Sequence, residues 1–153
     1  MSNASDYEMI VERTINAPRE LVWEAWTNAK HIKKWWGPKG FTNPICEWPA
    51  LPGSKILVHM QAPDGIIFPM SGEFIEISKH NRLIFTSRAL DKNGNPLFEV
   101  LNTVVFAEQN GTTLLTINAK VSKITIEARS YLDDMNEGWN LSIDRLEELL
   151  KTL

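Results

Sequence analysis

Three histidines, one cysteine and a scatter of carboxylates are the groups in this chain that could carry acid–base, nucleophilic or metal chemistry. Their spacing assembles none of these. His31 stands beside Lys30, Lys33 and Lys34 and reads as solvated. His80 falls in a turn. His59 alternates with Leu57 and Gln61 on a strand and points either into an interior or out to water. No His pair has metal-ligand spacing, and no Cys/His cluster exists. Glu73 and Glu76 fall on opposite faces of their strand, so they cannot work together as a dyad. Gly37, Gly40 and Gly53 do not make a phosphate loop, and no Ser sits in a nucleophile elbow. Cys46 lacks the surroundings of a thiol enzyme. Arg88 reads either as a grip for a carboxylate or as a solvated cation on an outer face. The expectation is no catalytic set, no metal and no organic cofactor.

The strongest signal is aromatic. Trp23, Trp26, Trp35, Trp36 and Trp48 fall in the first third of the chain, and Trp139 lies far downstream. Trp35-Trp36-Gly37-Pro38-Lys39-Gly40-Phe41 gathers such rings at a Gly/Pro turn. Glu137-Gly138-Trp139 repeats the pattern on a terminal helix. Large rings of this kind either pack a core or wall an apolar site.

These residues need positioning, and the elements that do so are readable. Glu8 to Asn16 reads as a strand. Asn16 reads as the N-cap of a helix with Pro18 in its first turn, and Leu21, Val22, Ala25 and Trp26 recur at helical spacing. A second short helix runs from Ala29 to Trp35, where Gly37-Pro38 ends it. Ser54–Gln61, Met70–Ser78, Arg82–Leu90, Leu97–Ala107 and Thr112–Val121 read as strands. The turns between them carry Pro63-Asp64-Gly65, Lys79-His80-Asn81, Asp91 to Pro96 and Gln109-Asn110-Gly111. Short turns imply antiparallel pairing. Pro44 to Ala50 is a weaker strand that Pro49 confines to an edge or an end. A long helix spans Ser130 to Lys151. Tyr131, Leu132, Met135, Trp139, Ser142, Ile143, Leu146 and Leu149-Leu150 lie on one face. Its far end is Leu-rich, while its start carries Tyr131, Met135, Gly138 and Trp139. Gly138 costs about 1 kcal/mol in a helix relative to Ala. It is either incidental or kept for close approach of backbone or ligand.

Composition narrows the functions. A chain of 153 residues suits one domain, 43% apolar and 23% charged. A net charge of −3 without a basic block excludes nucleic acid as the main partner. No stretch reaches the ~18 apolar residues of a membrane span. One cysteine allows no internal disulfide and fits a reducing, cytoplasmic compartment. Ser2-Asn3-Ala4 looks like a tag scar, so residues 1–5 stand outside a single domain taken as 6–153.

In this order the motifs resemble the SRPBCC (START-like, helix-grip) superfamily, in the branch of the activator of the 90-kDa heat-shock protein ATPase. The resemblance is carried by Thr14-Ile15-Asn16-Ala17-Pro18-Arg19-Glu20-Leu21-Val22-Trp23 and by the Trp35–Phe41 turn. It continues through Pro63-Asp64-Gly65, Gly72 to Ile77, Arg82 to Thr86, Met135 to Trp139 and Ile143-Asp144-Arg145-Leu146. It covers nearly the whole chain from about residue 8. One segment departs. Where the family usually has an Asp and an Arg before Pro-Gly-Gly, this chain reads Pro49, Leu51, Pro52, Gly53 and Ser54.

The resemblance implies an α+β helix-grip (START/Bet v-like) fold. A curved antiparallel sheet of six or seven strands wraps the long C-terminal helix, with two short helices after the first strand. The expected function is binding of an apolar or lipid-like small molecule between sheet and helix. The alternative is a chaperone-interaction or stress-related regulatory module, and a third is a cyclase- or hydratase-type enzyme on the same cavity. The expected ligand-binding residues are Trp36, Phe41, Trp48, His59, Met70, Phe85, Phe98, Tyr131, Met135 and Trp139. Met70, Phe85 and Phe98 can face either side of the sheet. The chain is expected to be a monomer or homodimer.

Overall fold

The computed structural model describes the backbone of residues 7–122 and 129–153, and the side chains of 7–121 and 135–153. The order is β1 (Tyr7–Ile15), α1 (Arg19–Thr27), α2 (Ala29–Trp35), β2 (Thr42–Glu47), β3 (Lys55–Gln61), β4 (Ile67–Ser78), β5 (Arg82–Leu90), β6 (Pro96–Gln109), β7 (Thr112–Ser122) and α3 (Arg129–Leu150). The seven strands form one curved antiparallel sheet in the order β1-β7-β6-β5-β4-β3-β2. This is the helix-grip architecture that the motif order implies.

The central strands bury alternate residues on the concave face of the sheet. On β6 the inward row is Phe98, Val100, Asn102, Val104 and Phe106; on β7 it is Thr113, Leu115, Ile117, Ala119 and Val121. The far half of α3 closes the core with Ile143, Leu146 and Leu150, at most 6% exposed. On β1, Arg13 shares the inward side with Val11 and Ile15. It donates to Asp144 at 2.6 Å, Glu147 at 2.9 Å and the Asn140 side chain at 2.8 Å, clamping the edge strand to α3.

Several boundaries differ from the sequence reading for local reasons. The N-cap of α1 is Pro18, not Asn16. A residue before proline favours extended backbone, so Ala17 cannot enter the helix. β4 begins at Ile67 rather than Met70 and contains Pro69. There the strand pairs with β3 only, through His59↔Pro69, because pairing with β5 starts at Met70↔Ala89. The missing N–H of Pro69 therefore falls where β4 is locally an edge. β2 is the edge strand expected near Pro49, but it runs over Thr42–Glu47, with Pro44 in a register shift between Thr42 and Ile45.

Candidate functional site

The site begins at the end of α2. Trp36 is the C-cap, and Gly37 follows at φ +94°, a conformation that favours glycine after a helix. The carbonyls left open at this terminus find distant donors. Asn43 Nδ2 donates to Lys33 O at 3.0 Å and Trp36 O at 2.9 Å. Arg145 reaches from α3. Its Nη1 donates to the carbonyls of Trp36, Gly37 and Pro38 at 3.1, 2.9 and 3.0 Å, and Nη2 to Lys34 O at 2.6 Å. Burial lowers the pKa of this guanidinium, yet it stays charged at any working pH. Its positive charge meets the negative end of α2.

This clamp holds the Trp36–Phe41 turn against the first half of α3, and a cavity of about 390 Å³ lies between them and the sheet. Trp36, Phe41, Met70, Phe98, Met135 and Trp139 line it, all six expected from the sequence. Met60, Phe68 and Val100 add further apolar wall. The polar side chains on the lining are Ser87, Asn102 and Ser142, and among the described residues no charged side chain borders the space.

Three expected members sit elsewhere. Trp48 and Phe85 are buried behind the wall. Trp48 lies 5.2 Å from Trp36 and 5.1 Å from Phe85, ring centre to ring centre, and its indole N–H donates to Trp26 O at 2.8 Å. They support Trp36 rather than face the space. His59 lies on the opposite face of β3 from Met60, because successive strand residues alternate. The side chain of Tyr131 lies outside the described residues. Gly138 lines the cavity, and a Cβ added there would meet nothing within 4 Å. Close backbone approach is therefore not what Gly138 serves.

The sequence reading missed Met60 and Asn102, although a signal existed. Met60 continues the Ile56, Val58 alternation, and Asn102 is the one polar residue in the inward row of β6. Arg88 proves to be an outer-face cation paired across strands with Glu99 at 2.7 Å. Cys46 is half-buried, and burial pushes its thiol pKa up, so it is not an activated nucleophile. Among the described residues no three His, Cys, Asp or Glu side chains gather as a metal site. No described helix is long and apolar enough to cross a membrane.

A second concavity, about 760 Å³, lies on the other side of Phe41 and is bordered by Lys30, Lys33, Lys34, Pro44 and Arg145. It is larger and is bordered by exposed lysines and by Arg145, whose guanidinium is taken up by the carbonyls at the end of α2, while Asn43 Oδ1 is buried without a partner among the described residues.

The family model for Activator of Hsp90 ATPase homolog 1-like protein matches residues 16–151. The chain belongs to this family. A crystal structure of a protein from Nitrosomonas europaea is 31% identical to this AHSA1-like chain, with 99% of this chain and 97% of that one aligned at a TM-score of 0.79. The AHSA1 protein of Silicibacter pomeroyi shares the fold at 18% identity and a TM-score of 0.83, over 95% and 99% of the two chains. A protein from Chromobacterium violaceum does so at 24% identity and 0.78, over 94% and 96%. No curated protein matches the AHSA1-like chain at a significant level.

Proposed function

We propose that this AHSA1-like protein binds an apolar or lipid-like small molecule in the cavity beneath the first half of α3. One observation carries the reading. About 390 Å³ of space is walled by aromatic rings and methionines with few polar groups, within the range of small-molecule sites. A core built only for stability would fill such a space, since interiors are close-packed. Met60, Met70 and Met135 supply adaptable walls for an irregular apolar guest. The test is a titration with N-phenyl-1-naphthylamine, an uncharged dye that fluoresces in apolar surroundings. The protein should bind it saturably at one site, and Met135→Trp should block it without loss of cooperative unfolding. Absence of saturable binding would overturn the proposal.

A chaperone contact is the second reading, favoured by the family and by the exposed lysines of the groove at α2. Its test is the ATPase rate of a 90-kDa heat-shock protein with and without this protein. A stimulation that disappears in a Lys30→Glu, Lys33→Glu, Lys34→Glu variant would support it; no stimulation would remove it.

A further inference from the structure

Two of the three polar side chains on the cavity lining, Asn102 and Ser87, form a hydrogen-bonded pair. Asn102 is 1% exposed in the otherwise apolar inward row of β6. Its Nδ2 donates to the Phe85 carbonyl at 3.3 Å and to Ser87 Oγ at 3.0 Å. The Phe85 bond sets the orientation of the carboxamide, because a carbonyl accepts only from its N–H side. Asn102 Oδ1 is thus left as an acceptor without a donor among the described residues. The Ser87 hydroxyl hydrogen is likewise without an acceptor there. Both residues line the cavity. An acceptor beside a donor on an otherwise apolar wall gives the cavity one polar pole that a hydrogen-bonding guest can occupy.

We infer that the ligand carries one neutral hydroxyl head, seated on Asn102 Oδ1 and Ser87 Oγ, with an apolar body against Met70, Phe98 and Trp139. The inference rests on the ligand-binding reading and adds the chemical class. A hydroxyl both donates and accepts, which matches an acceptor beside a donor. An ether or ester oxygen accepts from Ser87 but leaves Asn102 Oδ1 unpaired. A carboxylate cannot donate to Asn102, and no described cation lines the space to neutralise it. An ammonium could donate but finds no described carboxylate on the lining. The volume holds roughly a dozen groups the size of water, which suits a body of about ten carbons.

The experiment displaces bound N-phenyl-1-naphthylamine with decan-1-ol, decyl methyl ether, decanoate and decylammonium at neutral pH. Decan-1-ol should displace at a concentration about tenfold lower than the ether, and lower still relative to both ions. Asn102→Leu should erase the alcohol's advantage over the ether, each read against the variant's own dye affinity. Ser87→Ala should reduce it and decides the matter if Asn102→Leu does not fold; an unchanged advantage in Ser87→Ala overturns the assignment. Equal displacement by alcohol and ether, or tighter binding of either ion, overturns the head-group inference alone. Failure of the dye to bind overturns it together with the ligand-binding reading.

Discussion

The guanidinium of Arg145 lies 2.9 Å from the carbonyl oxygen of Gly37, across 108 residues of chain. With Trp36, Pro38 and Lys34 it makes four such bonds, so one side chain on α3 fastens the C-terminus of α2 and the turn that walls the cavity.

Arg145→Met should therefore cost about 2–3 kcal/mol, the range for bonds to a charged donor. Arg145→Lys should recover only part of it, because an ammonium cannot reproduce the planar fork. Chemical denaturation measures the cost. Dye affinity should fall in parallel as the Trp36–Phe41 turn loosens.

Trp139 stacks on Trp26 at 6.0 Å and meets Trp36 edge-on at 5.4 Å. It is only partly buried, because one side borders the cavity. Trp139→Ala should then cost about 2 kcal/mol, below the ~3–5 kcal/mol of a fully enclosed ring. A loss at the upper figure would mean that the ring is packed on every side.

Two glycines should answer oppositely to alanine. At Gly138 a Cβ enters open space, so Gly138→Ala should stabilise α3 by about 0.5–1 kcal/mol. At Gly72, in the middle of β4, a Cβ would collide with the Thr86 carbonyl oxygen of the neighbouring strand. Gly72→Ala should cost about 3 kcal/mol, at the upper end of overpacking. Thermal melts of the two variants check both signs.

Burial holds the Cys46 thiol above its usual 9.0, against a smaller opposing pull from Lys33. The folded state thus favours the neutral thiol. That contribution is complete below about pH 9 and is lost as pH rises through the folded value. Native protein at pH 8 should react with an aromatic disulfide reagent more slowly than denatured protein, since only the thiolate attacks. Cys46→Ala should flatten the alkaline end of the stability profile.

Much of the site was legible in the residues. The types of Trp36, Phe41, Met70, Phe98, Met135 and Trp139, and their positions near the Gly/Pro turn and the start of α3, predict a shared apolar surface, and all six line one cavity. The place of His59 was not legible, because alternation separates two faces of β3 without saying which one is covered. The aromatic types of Trp48 and Phe85 predict wall positions, yet the rings pack in layers and these two lie behind Trp36. Depth within a cluster has no counterpart in spacing along the chain.

What the chain alone decided is local. Turn residues between short strands require antiparallel pairing, the 3.6-residue period of the tail makes a helix, and Gly37-Pro38 ends α2. Those rules act over a few residues, so they are visible in any stretch of sequence. The tertiary structure alone decided that Arg145 would reach the turn at Gly37, that Asn102 would face an apolar space, and that Gly138 would leave that space open. These depend on how the sheet curves around α3. That curvature is the joint result of seven strand pairings and one helix face, and no segment carries it by itself.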